Sequence, residues 1–160
     1  MALDLLRQGK PPANLYRHDL ESFLYLLAYV CAVWDPENKR FDRMHAWERE
    51  TLIEIWANKH GFLMKREVYD EVFKHAHPSL KHLAEYESES SWISTLVGVF
   101  SLIEAHATTI MALQSVQSGS RRSPQAAAAL EARIKKNEAD RESEISYEMF
   151  MDILGASPDV

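Results

Sequence analysis

The chain has 160 residues, 46% of them hydrophobic, which is enough for one domain with a packed core. Four Trp, six Tyr and six Phe favour a folded chain over a disordered one, and a formal net charge of −6 argues against nucleic acid as the main partner. The lone cysteine, Cys31, excludes a disulfide framework; set in an apolar run, it reads as a core residue rather than a nucleophile.

Residues 1–7 lack the basic stretch and long apolar run of a secretion signal. The expectation is an intracellular protein, cytoplasmic or nuclear, with no membrane span. Residues 1–16 form an irregular lead-in, extended around Pro11 and Pro12. Residues 17–34 then read as the most informative stretch. A charged head, with Asp19 placed as N-cap, runs into twelve consecutive apolar or aromatic residues. Twelve are too few to cross a bilayer, and apolar residues on every side predict a helix surrounded by protein. Residues 35–39, with Asp35, Pro36 and Asn38, stop it.

Residues 46–57 carry Trp47, Leu52, Ile53, Ile55 and Trp56 at helical spacing, and Gly61 is expected to break or cap that helix. A further helix is predicted over 62–76, ended by His77-Pro78, with a weaker turn over 80–86. Residues 92–113 keep one apolar face over about five turns. Residues 114–124 read as a flexible linker. The Ala-rich, charged stretch 125–141 is compatible with a helix that has little to bury, since Leu130 and Ile134 are its only large apolar residues. Residues 146–154 predict a short amphipathic helix returning to the core. The fold class is therefore all-α.

Few residues point to chemistry. His75, His77 and His82 are spaced by two and five, which suits no helical metal pair. Arg17-His18-Asp19 holds the letters of a kinase catalytic loop in scrambled order, and Leu24 stands where that loop needs an asparagine. No Gly-x-Gly and no Asp-Phe-Gly occurs. Arg121-Arg122-Ser123-Pro124 has the form of a proline-directed phosphorylation site at Ser123.

Arg17-His18-Asp19-Leu20-Glu21-Ser22-Phe23-Leu24-Tyr25-Leu26-Leu27 resembles the start of the central helix (αF) in the C-terminal lobe of the fungal-type protein kinases. Leu52-Ile53-Glu54-Ile55-Trp56-Ala57, followed by Lys59 and Phe62-Leu63, is similar to that family's next segment. Residues 146–154 resemble its closing helix. The resemblance implies an all-α kinase C-lobe built around one buried central helix, with the N-lobe absent. Residues 1–16 would be the end of the activation segment, 17–113 the helical core, 114–143 a polar insert and 144–160 the closing helix and tail.

By the same resemblance Asp19 matches the aspartate that ties αF to the catalytic loop, with Glu21 and Ser22 beside it as structural anchors. Ala2-Leu3-Asp4 stands where the family ends its activation segment with Ala-Pro-Glu. That acidic residue usually pairs with an arginine of the late helices, and the change to Asp4 leaves the pairing open. The parts that bind ATP and magnesium precede αF in the family, and none is found here. The implied role is therefore a serine/threonine-kinase lobe without cofactor or metal that does not phosphorylate on its own. The alternatives are a pseudokinase-like interaction scaffold, or part of a full kinase whose upstream exons were missed. With αE and the catalytic loop missing, part of the central helix should be under-covered. A protein partner or a second copy is then expected on that apolar surface.

Overall fold

The structure, a computed structural model, describes residues 1–6, 15–42, 44, 47–48, 51–86, 88, 91–119 and 123–156. It is all-α. In chain order come α1 (Leu3–Leu6), α2 (Tyr16–Val33), α3 (Leu52–Met64), α4 (Arg66–Phe73), α5 (Pro78–Lys81), a 3-10 turn (His82–Ala84), α6 (Trp92–Ser118), α7 (Pro124–Ser143) and α8 (Tyr147–Ile153). Two residue pairs, β1 (Trp34–Asp35) and β2 (Arg40–Phe41), make a small antiparallel ladder at the end of α2. The prolines of the lead-in, Ala46 and the Arg121-Arg122 pair lie outside the described residues.

The central helix begins earlier than its charged head suggests. Its N-cap is Leu15, not Asp19. A leucine side chain cannot accept a hydrogen bond, so His18 does the capping: its Nδ1 accepts the Leu15 N–H at 3.1 Å, while its own N–H donates to Leu15 O at 2.8 Å. Asp19 is left one turn in, facing solvent. The expectation of protein on every side is also corrected. Leu24 and Ala28 are fully buried and Leu20, Tyr25 and Cys31 nearly so, whereas Phe23 and Leu26 are 53% and 54% exposed. The apolar run has an inner face at i, i+4, i+8 spacing and an outer face that its neighbours leave open.

Gly61 does not end α3. The helix runs through it to Met64, and the break falls at Lys65, which closes α3 and opens α4 with extended backbone. Gly61 lies on the side of α3 that meets α4; a Cβ there would touch Val68 at an ordinary 3.5 Å. Thr51 caps α3 by accepting the Glu54 N–H at 3.3 Å. The hinge at Lys65 folds α4 onto α3, so that Phe62 stacks on Tyr69 (5.4 Å) and meets Phe73 edge-on (6.0 Å). These rings, with Leu24, Leu96 and Phe100, belong to one continuous core.

α6 is 27 residues long and extends to Ser118, so the start of the expected linker is helical. The chain then turns, and α7 folds back along α6 over 20 residues. α7 buries one large residue, Ile134, and its last turns reach back to the middle of α6, where Arg141 meets Ile103. α8 returns to the core through Phe150. By length and composition α6 is one helix apolar enough to cross a membrane; its inner face packs on α2, α3 and α7.

Candidate functional site

The densest cluster of buried charge lies where α1, the first turn of α2 and the last turn of α7 meet. Asp4 sits at its centre and is 5% exposed. Its Oδ2 accepts from Arg17 Nη2 at 2.8 Å, and both its oxygens accept from Arg141 Nη2, at 2.6 and 2.7 Å. His18 Nε2 lies 3.1 Å from Oδ2. Because His18 Nδ1 already accepts from Leu15, the proton of a neutral ring sits on Nε2 and donates to Asp4. Arg17 Nε reaches on to Glu142 at 2.9 Å, and Arg141 Nε donates to Ile103 O at 3.3 Å. One carboxylate thus binds three segments together.

The electrostatics follow from burial and pairing. Burial by itself would raise the Asp4 pKa, but the hydrogen bonds and charges of Arg141 and Arg17 overcome it and hold the carboxyl well below its ordinary value. Burial opposes the charge on Arg17 too, and the bonds to Asp4 and Glu142 restore it. His18 moves the other way. Burial pushes its pKa down, and the neighbouring Arg17 and Arg141 charges oppose the pull of Asp4. Among the described residues Arg17 Nη1 has no hydrogen-bond partner.

A second layer lies just beneath. Glu21, 4% exposed, accepts the Leu3 N–H at 2.8 Å and the Tyr25 hydroxyl at 3.2 Å. Lys59 from α3 lies 4.1 Å from the Tyr25 ring centroid and donates to Met1 O at 3.0 Å. Burial raises the Glu21 pKa and lowers that of Lys59. Both layers converge on residues 1–4, through Asp4 in the first and through Leu3 N–H and Met1 O in the second. The arrangement fastens the beginning of the chain; its charged groups face one another rather than a cavity.

Of the residues singled out from sequence, Ala2, Leu3, Asp4 and Glu21 come together here. Ser22 lies alongside and donates to His18 O at 2.7 Å. Asp19 is outside the cluster, on the exposed side of α2. Ser123 stands at the far end of α7, about 27 Å along the helix from Arg141. There it is the N-cap, its Oγ accepting the Ala126 N–H at 3.3 Å. Sequence reasoning missed Arg17, His18, Lys59 and Arg141 as members. Arg17 had a signal available, as a cation beside an otherwise apolar helix, and the resemblance pointed to a late-helix arginine without singling out Arg141.

The remaining candidates carry less. His77 accepts the Ser79 N–H at 3.3 Å and so caps α5, and among the described residues no group of three metal-ligating side chains occurs. Burial raises the Cys31 thiol pKa, consistent with a core position. A cleft of about 370 Å³ opens beside α4, lined by Arg66, Tyr69, Phe73, Lys81, His82 and Tyr86. The Arg66 guanidinium is stacked 3.7 Å from the Tyr86 centroid and paired with Asp70 at 2.7 Å. No known protein family, curated protein or solved structure matches the chain.

Proposed function

We propose that these 160 residues are the C-terminal helical lobe of a fungal-type protein kinase, and that they act by binding protein rather than by transferring phosphate. The observation that carries the reading is the Asp4–Arg141 pair at 2.6 Å. In the resembling family the acidic residue closing the activation segment pairs with an arginine of the late helices. Here an acid at the matching position, one methylene shorter, pairs with an arginine 137 residues later. Three further features lend support: a long central helix, the burial of Glu21 next to α1, and a closing helix that packs back through Phe150.

Binding is the activity these residues have the means for. Phosphoryl transfer is mainly positioning and charge neutralisation by a phosphate-cradling loop, a lysine, an Asp base and metal-holding carboxylates. The buried charges of this chain are spent on one another. Phe23 and Leu26 stay exposed on the helix that resembles αF, on a surface suited to the helix and loop that precede αF in such kinases.

The test is complementation. A polypeptide carrying the ATP lobe, αE and catalytic loop of a fungal-type kinase is titrated against the purified chain. A 1:1 complex is expected, with loss of hydrophobic-dye binding, and Leu26→Glu should weaken it at least tenfold. ATP with magnesium should leave the melting temperature of the isolated chain unchanged. Absence of a complex, or a reproducible ATP-dependent stabilisation of the chain alone, would overturn the reading.

A further inference from the structure

α7 has little apolar surface with which to hold its place, since Ile134 is the one large residue it buries along 20 residues. Polar ties do much of the fastening. Arg141 is bound to Asp4 and to the Ile103 carbonyl, and Glu142 to Arg17. A further tie comes from His106, a half-buried histidine of α6. Its Nδ1 lies 3.1 Å from Asn137 Oδ1, and its Nε2 lies 3.3 Å from Glu144 Oε1 at the end of α7. One ring therefore grips the last turns of α7 at two points.

Both of those points are hydrogen-bond acceptors. Asn137 Nδ2 donates to Arg133 O at 2.9 Å, which leaves the amide oxygen turned to the ring. An ionised carboxylate such as Glu144 can only accept. A neutral imidazole has one N–H and one lone pair, so it serves one neighbour and sets its lone pair against the oxygen of the other. With a second proton the ring donates to both and places a positive charge against Glu144. His18 and His77 are arranged differently. In each, Nδ1 accepts a backbone N–H while Nε2 faces a carboxylate, a pattern that a neutral ring already satisfies.

We propose that His106 is a proton-operated clasp: taking up a proton fastens the end of α7 to α6, and losing it loosens that end. The charges around the ring suit this role. Asp140, half-buried on the side of α7 that carries Asn137 and Glu144, is acidic. The basic groups are Arg141 on α7 and Arg17 on α2, and both are already bound to Asp4. On α6 itself Glu104 is buried and lies 3.6 Å from His60 of α3. α8 contributes Glu148 and Asp152, both exposed.

Histidine is the side chain whose charge ordinarily changes between roughly pH 5 and 8. The clasp therefore closes as His18 lets go. Acid removes the lone pair with which His18 caps α2, and it supplies the second N–H with which His106 holds α7. Arg141 lies between Asn137 and Glu144, so the grip on α7 keeps its guanidinium on Asp4 while the cap of α2 weakens. The two histidines act with opposite sign on the segment around Asp4.

Ring-nitrogen NMR and amide hydrogen exchange on the full chain test the clasp. In the folded protein at pH 5.5 both nitrogens of His106 should carry a proton. His106→Gln keeps one donor and cannot titrate. Corrected for intrinsic exchange rates, protection of the α7 amides in the wild type relative to this variant should rise by about threefold from pH 7.5 to 5.5. The ratio cancels the titration of the other histidines, and His18→Asn in both backgrounds should leave the rise unaltered. Glu144→Gln removes the charge opposite the ring and should abolish most of the rise; set against the wild type, it reads the same effect should His106→Gln fail to fold. A ring with a single proton at pH 5.5, a protection ratio indifferent to pH, or a rise that survives Glu144→Gln would each overturn the proposal.

Discussion

Asp4 balances more charge than one carboxylate ordinarily does, with two arginines on it and a histidine ring against it. Removing it leaves Arg17, 5% exposed, with only the half-exposed Glu142 against its charge. Breaking a buried pair by deleting one partner costs about 3–5 kcal/mol, because the surviving charge keeps its desolvation penalty. Asp4→Ala is therefore expected to lower unfolding stability by about 3–5 kcal/mol in urea titrations. Arg141→Ala should cost less, since Arg17 and His18 remain on Asp4; equal losses would contradict this description. His18 gives a pH signature. Burial depresses its folded-state pKa below the ordinary value of about 6.5. The unfolded chain then binds the proton more readily, so this stability is complete above about pH 6.5 and is lost as pH falls through the folded-state pKa. Protonation would also remove the lone pair on Nδ1 that caps α2. His18→Asn keeps an acceptor for the Leu15 N–H and cannot titrate. Between pH 7.5 and 5.5 the wild type should therefore lose more stability than the variant, with the urea midpoint as the readout.

At the scale of elements, α7 departs most from its composition. Six alanines and many charges leave little apolar surface, and the sequence offers no reason for it to matter beyond Ile134. Its value lies at its ends. Arg141 in the last turn reaches Asp4, and Ser123 caps the first turn ahead of Pro124. A phosphate on Ser123 would add two negative charges beside the free N–H groups of that turn, where the helix dipole favours an anion. The Ser123→Asp variant should raise the melting temperature by a few degrees, in line with about 0.5–1 kcal/mol. Destabilisation would argue against a phosphosite that orders α7. Helix existence was legible here from periodicity, because 3.6-residue spacing is a local property. Helix ends were less so. The α3–α4 break at Lys65 carries no glycine or proline, and it arises because Phe62, Tyr69 and Phe73 must share one core.

For the whole molecule, the all-α class could be read from the scarcity of alternating patterns and the long apolar helices. The site could be read only in part. Asp4 and Glu21 stood out through a resemblance in letters. Arg141 and Lys59 did not, since an arginine in a charged helix and a lysine in an amphipathic one look like any solvated residue. Their role depends on which segments become neighbours, and that is set by tertiary packing across most of the chain. The under-covered outer face of α2 was foreseeable from the resemblance; the two acceptors that meet His106 were not, since they lie 31 and 38 positions further along the chain.

The Asp4–Arg141 pair also has a bearing on how the protein is made. The two residues are separated by 137 positions. At translation rates of 5–20 residues per second, Asp4 would wait roughly 7 to 27 s for its partner to be synthesised. Through that interval Arg17 and His18 can already engage it, but α1 has no complete lock. The segment around Asp4 is therefore fixed only once the end of α7 has been made. A chaperone attending the ribosome would meet α1 without its Arg141 tie until then.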